Sequence, residues 1–218
     1  MGVLKVVTLL WSPNTLSRNF SLMYNEAWVE KLYWGFKRNL TLSFDFVLYT
    51  DRRRGLIGEI EQRIIKGLGR RGYGDCIIPY ELGKPMILVG LDTIVTGNID
   101  KLAHYCFTGT KLMLPRDPYH KEQACNGVAL VPRGHRDVAL LHRGENDMEW
   151  VRKFPHLFLD DELPGYVRSY KGHVEKHGLN DTRIVYFHGE KKPHQLRHVE
   201  WIKQHWRMEN VVPVHEAI

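Results

Sequence analysis

The chain has 218 residues, of which 43% are hydrophobic, 26% charged and 11% aromatic, a balance that excludes a largely disordered polymer. A chain of this length buries roughly 70% of the surface its unfolded form exposes, so it needs no disulfide or metal staple. The net charge is +6, from 31 Lys and Arg against 25 Asp and Glu, and suits an anionic ligand such as a nucleotide, a phosphate or nucleic acid. Only Arg52-Arg53-Arg54 and Arg70-Arg71 cluster; no basic stripe with interleaved aromatics marks a nucleic-acid binder, which stays a secondary expectation.

Cys76, Cys106 and Cys125 are odd in number and widely spaced, without a CxxC pair. Free thiols are therefore expected, as in a reducing cytoplasm. The opening Met1-Gly2-Val3-Leu4-Lys5-Val6-Val7-Thr8 has no long apolar region and no small-residue cleavage site, which predicts a first strand and no leader. No stretch approaches the ~18 apolar residues of a membrane span, so a cytoplasmic protein without a span is expected.

Strand one is predicted from about Val3 to Leu10, ending at the turn cluster Ser12-Pro13-Asn14. Leu22, Val29, Leu32, Tyr33, Phe36 and Leu40 fall near helical spacing, predicting a helix over about 21–38. A second strand follows at Phe44 to Thr50, completing a βαβ unit with a right-handed crossover. A short helix is expected around Ile57 to Ile65. The run Met86-Ile87-Leu88-Val89-Gly90-Leu91 reads as a fully buried central strand stopping at Asp92. Short strands are expected at 111–114, 127–131 and 183–188, a helical turn or two at 145–153, and a closing helix over 195–207. The whole, 1–218, is read as a single α/β domain with a mixed sheet.

Ligands of open α/β sheets bind at the carboxyl ends of the strands, and two places stand out. At Leu91-Asp92-Thr93-Ile94 a buried strand runs into a carboxylate, which suits a metal, a ribose or a sugar hydroxyl, and equally a turn cap. At Ile184-Val185-Tyr186-Phe187-His188-Gly189-Glu190-Lys191-Lys192-Pro193 a strand delivers Tyr186 and His188 to one face. Gly189 then allows close backbone approach, and Lys191 and Lys192 supply cations for a diphosphate. The plainer alternative is a solvated basic turn after an edge strand. His194-x-x-x-His198 would set two imidazoles on one helical face, but neither HExxH nor a third ligand accompanies them. Trp28, Tyr33, Trp34 and Phe36 are expected in the core, and Asp160-Asp161-Glu162 in a solvated acidic turn.

Leu91 to Asp100 resembles the LDxDxxxxGNID segment of nucleotide-sugar glycosyltransferases with the GT-A fold. The His188-Gly189-Glu190-Lys191-Lys192-Pro193 run resembles the HFxGxxKPW element of their glycogenin-like family eight. Between them, in the family's order, lie Leu114-Pro115-Arg116-Asp117, Ala124-Cys125-Asn126-Gly127-Val128, Asp147-Met148-Glu149-Trp150 and Ser169-Tyr170-Lys171, which resemble its middle strand, its NSGVM loop, its DQ element and its SYK stretch. The resemblance covers nearly the whole chain. It implies a single-domain, Rossmann-like nucleotide-diphospho-sugar transferase fold with a central, mainly parallel mixed sheet.

The resemblance also implies roles. Thr8, Leu9, Asp51 and Thr93 would contact the nucleotide; His188, Gly189 and Lys192 the diphosphate; Asp117, Asn126 and Gly127 the sugar. Asp92, Asp147 and Glu149 are the carboxylates expected at the chemistry. In the family a DxD pair and a histidine hold Mn2+ or Mg2+. Here the second acid is Ile94, Tyr186 stands at the histidine position, Met148 replaces the glutamine of DQ, and Cys125 replaces the asparagine of NSG. Asp92 and His188 are the remaining metal candidates. The implied activity is transfer of a sugar, from a UDP-sugar by preference, to an acceptor the motifs do not name. The alternatives are a silent nucleotide- or carbohydrate-binding relative and a transferase acting on nucleic acid.

Overall fold

The computed structural model describes residues 2–17 and 21–209; Met1 of the opening segment lies outside them. Strand β1 (Leu4–Leu10) and strand β2 (Phe44–Thr50) are parallel neighbours over their full length. Helix α1 (Glu26–Asn39) connects them as a crossover, capped by Asn25, whose side chain accepts the Ala27 amide. Trp28, Val29, Leu32, Tyr33 and Phe36 form its buried face. The helix begins later than its spacing predicts. Leu22 lies ahead of the cap and is exposed, because the chain needs several residues to return from the end of β1.

The helix expected around Ile57 to Ile65 is instead strand β3 (Ile60–Ile64), paired in parallel with β2 from Phe46↔Ile60 to Thr50↔Ile64. Its isoleucines mimic helical spacing, but Gly55 and Gly58 disfavour a helix and the open edge of β2 supplies a ladder. Strand β4 (Met86–Val89) is fully buried and pairs with the other side of β1. The large sheet has the order β3-β2-β1-β4-β7-β6-β8, completed by strand β6 (Leu112–Leu114), strand β7 (Val128–Val131) and strand β8 (His156–Phe158). Only β7 runs against its neighbours β4 and β6. The protein is thus an α/β fold with a seven-stranded, mostly parallel mixed sheet, consistent with a Rossmann-like architecture.

A small second sheet has the order β5-β10-β9, from strand β5 (Thr93–Val95), strand β9 (Val167–Ser169) and strand β10 (Ile184–Tyr186). So β10 is the middle strand of its sheet, and the edge-strand alternative for this segment fails. β10 runs antiparallel to β5, with Tyr186 opposite Thr93. That pairing brings the loop after Tyr186 beside Asp92, about a hundred residues earlier. Helix α2 (Asp100–Thr108) follows β5, the turn expected at 145–153 is helix α3 (Asp147–Val151), and the closing helix is the short α4 (Glu200–His205). His194 and His198 precede α4, so they share no helical face. Among the described residues no helix is long and apolar enough to cross a membrane.

The predicted core aromatics Trp28, Tyr33 and Phe36 are buried and Trp34 is half-buried. Cys76, Cys106 and Cys125 are free thiols. Asp160, Asp161 and Glu162 form a single helical turn, in which Asp160 accepts the Arg116 amide and Asp161 the Arg116 guanidinium.

Candidate functional site

A cavity of about 490 Å³ opens where β1 and β4 end. From β1 the chain departs to β2 on one side and returns later to β4 on the other, which is the switch point where ligands of open α/β sheets settle. Thr8 and Leu9 lie in its wall, and the Thr8 hydroxyl donates to the Val89 carbonyl at 2.9 Å, tying β1 to β4. Asn126 and Gly127 enter from the start of β7, Asp147 and Met148 from α3, and His188, Gly189 and Lys192 from the loop after β10.

The cavity lining is of two kinds. Leu9, Trp11, Tyr73, Tyr80 and Val89 make it largely aromatic and apolar. It also holds an ion pair: Lys192 Nζ donates to Asp92 Oδ2, their side chains only 4% and 15% exposed. Lys192 is therefore not on a solvated turn. Among the described residues Asp92 accepts no backbone amide; its Oδ2 also accepts the Tyr24 hydroxyl at 2.9 Å, and burial and this carboxylate push the Tyr24 phenol far up. Gly189 adopts a left-handed backbone (φ 72°) that carries the chain past the cavity. Lys191 turns away to Glu175.

Asp147 also lines the cavity, and its Oδ2 accepts the Asn126 amide at 2.7 Å. Burial raises its carboxyl above the usual range, partly offset by Asn126. Because the folded pKa lies above the unfolded one, this group contributes stability that is complete below the unfolded value, about 3.9. That contribution is lost as pH rises through the folded value. Asp147→Asn retains an acceptor for Asn126, so it is expected to raise Tm at pH 7 by a few degrees. The gain over wild type should vanish below about pH 4. Thermal unfolding from pH 4 to 8 checks this, and a variant less stable than wild type at pH 7 contradicts it.

Tyr80 is 1% exposed, and its hydroxyl has no hydrogen-bond partner among the described residues. Burial, with Asp147 nearby, pushes its phenol far up. An unsatisfied buried hydroxyl costs about 1–3 kcal/mol, so Tyr80→Phe should leave the ligand-free protein as stable or more so. It should also weaken, by roughly tenfold, any ligand that supplies the missing partner. A denaturant titration and a binding titration read the two effects separately.

Other expected site residues lie elsewhere. Asp51 does not line the cavity; it accepts the Ser12 amide at 3.0 Å and Arg54 at 2.8 Å, fixing the loops after β1 and β2. Thr93 is buried in the small sheet. Glu149 is exposed on α3. Asp117 lines a separate cavity. The aromatic lining, Trp11, Tyr24, Tyr73 and Tyr80 with Cys76, escapes the sequence reading. Tyr73, Cys76 and Tyr80 belong to an irregular 3₁₀ segment (Gly72–Leu82) without periodicity, which gives no signal of the site.

Of the two metal candidates, Asp92 is already engaged, while His188 keeps a buried Nε2 with no hydrogen-bond partner among the described residues. Asp92 is engaged by Lys192 and Tyr24, and Ile94 is buried opposite Val185. The Tyr186 hydroxyl lies 3.3 Å from Cys125 Sγ and 3.4 Å from the Arg116 carbonyl. His188 Nδ1 faces Ser169 Oγ at 3.1 Å. No group of three or more His, Cys, Asp or Glu side chains poised to hold a metal occurs among the described residues. No model of a known protein family matches the chain, and no curated protein matches it significantly in sequence.

Proposed function

We propose that the cavity is the donor site of a GT-A-type glycosyltransferase that takes a sugar from a nucleoside diphosphate sugar, with UDP-sugars preferred. The observation that carries this reading is convergence. The separate segments on which the family resemblance rests, around Asp92, Asn126, Asp147 and Lys192, meet in one cavity at the β1/β4 switch point. Its aromatic residues suit a base, and the Lys192 ammonium, which a diphosphate can share with Asp92, suits the phosphates.

When the bond between the anomeric carbon and the diphosphate oxygen breaks, negative charge gathers on the departing phosphates. Lys192, held by Asp92, supplies the compensating charge in place of Mn2+ or Mg2+. Asp147, bonded to Asn126, orients a sugar hydroxyl or takes the acceptor proton. Thr8 and Leu9 flank the nucleotide, and Gly189 lets the backbone approach the phosphates.

A second reading, a silent nucleotide- or carbohydrate-binding relative, draws on the same ion pair, since a carboxylate already satisfied by Lys192 and Tyr24 is less free to act. Release of nucleoside diphosphate from a panel of UDP-sugars separates the two. Turnover that Asp92→Ala and Lys192→Ala both abolish is the expected result. Full activity in both variants overturns the assignment, and UDP binding without release selects the silent relative.

A further inference from the structure

Ser169, which lines a second cavity of about 390 Å³, is hydrogen-bonded to His188, which lines the donor cavity, so the two cavities are neighbours. Tyr186 also lies between them: it lines the second cavity, while its ring lies close enough to Gly127 that a Cβ there would approach it to 3.0 Å. Gly127 lines the first cavity. The second cavity lies between the loop 115–124 and the segment 167–177, which carries β9 and the turns after it.

Its charges are unevenly satisfied. The Arg116 guanidinium is held by Asp161 at 2.5 Å and by the Lys121 carbonyl at 2.7 Å. Asp117 receives Arg152 at 3.2 Å and the amides of Tyr119 and His120 at 2.9 and 3.1 Å. Asp160 accepts the Arg116 amide at 2.8 Å. In contrast, Lys121, Arg168, His173 and His177 line the cavity with no carboxylate in ion-pair range among the described residues. The His173 and His177 rings lie 4.7 Å apart, and burial, Arg168 and His177 hold His173 below its usual range. Lys171 continues the basic wall toward the first cavity, near the Tyr119 ring that packs edge-on against His188. Lys121 and Arg168 outnumber Asp160, the one carboxylate of this cavity without a cation partner among the described residues, and a bound anion offsets that excess positive charge.

We propose that this second cavity is the acceptor site, and that it selects an acceptor sugar bearing an anionic group, a phosphate or a carboxylate, held by Arg168 and Lys121. The acceptor role rests on the glycosyl-transfer reading, because an attacking hydroxyl must lie against the donor's anomeric carbon; the anion binding does not.

Calorimetric titration of the full chain with glucose 6-phosphate, glucuronate and glucose tests it, in wild type, Arg168→Ala and Lys121→Ala, with Tm as the check on folding. Lys121 lies on an exposed loop and serves if the Arg168 variant does not fold. At least one anionic sugar should bind tenfold or more tighter than glucose, and each folded variant should lose that preference while binding UDP as wild type does. The stronger of the two anionic sugars identifies phosphate or carboxylate. Equal binding of charged and neutral sugars, no binding of any, or variants that bind like wild type overturns the proposal. If the anion preference holds but UDP does not bind, the anion site stands and the glycosyl-transfer reading falls.

Discussion

Lys192→Met is expected to destabilise the protein by about 3 kcal/mol, since it leaves the Asp92 carboxylate, only 15% exposed, with Tyr24 as its remaining hydrogen-bond partner among the described residues. The cost arises from the stranded charge more than from the lost bond. The double variant Asp92→Asn/Lys192→Met removes both charges and should recover most of the loss, giving a coupling of a few kcal/mol in a double-mutant cycle. The same single variant should lose nucleoside diphosphate binding, because no other ammonium lines the cavity among the described residues. The double variant should stay unable to bind although it is folded again. Urea unfolding and calorimetry distinguish the two roles: a double variant that regains binding shows that Lys192 only supports the fold.

The second large effect is expected at Gly69. Its backbone is left-handed (φ 87°), its amide donates to the buried Asp75 carboxylate at 2.6 Å, and its carbonyl accepts Asn14 at 2.9 Å. A Cβ there would stand 2.6 Å from Trp11 Cγ. The indole can yield only toward the cavity it lines, at the cost of its packing, being 7% exposed, and of the bond its Nε1 donates to Ser17 at 3.0 Å. Gly69→Ala should therefore cost roughly 2–5 kcal/mol, from the left-handed backbone and the overpacked ring together. Because Trp11 belongs to the aromatic lining of the cavity, nucleotide binding should weaken in parallel. Gly134, also left-handed but with open space where a Cβ would lie, is the control. Gly134→Ala should cost only the backbone part, about 1–2 kcal/mol. Equal effects at the two glycines would show that Trp11 moves aside.

What the sequence reveals and what it hides divide along a physical line. β4 is legible because it is a continuous apolar run buried on both faces, β1 and β2 because they are short, mostly apolar and β-branched or aromatic-rich runs bounded by turns, and α1 because its apolar positions recur with helical period. Of the polar cavity residues, Asp92 and Lys192 are legible from the segments that follow buried strands, and Asn126 and Asp147 only through the family resemblance. β3 is not, because Ile57, Ile60 and Ile64 keep a helical period while the free edge of β2 decides their state. Nor is the ion pair: nothing local in Asp92 or Lys192 says that β5 and β10 will pair antiparallel and bring them together. Trp11, Tyr73 and Tyr80 are hidden for a third reason. They sit on irregular backbone, where burial is set by tertiary packing such as the Gly69 contact and leaves no period to read.

Calorimetric titration of UDP and its sugars into the protein, with excess chelator and again with Mn2+, tests the central claim most directly. The account predicts saturable binding of a uridine diphosphate in chelator, unchanged by Mn2+ and lost in Lys192→Met. It also predicts a rise in Tm of several degrees when the nucleotide reaches ~100 times its Kd, where ligation adds about 2.7 kcal/mol. Absence of binding to any nucleoside diphosphate or its sugars in either condition would contradict the donor-site assignment, and binding that requires Mn2+ would contradict the role given to Lys192.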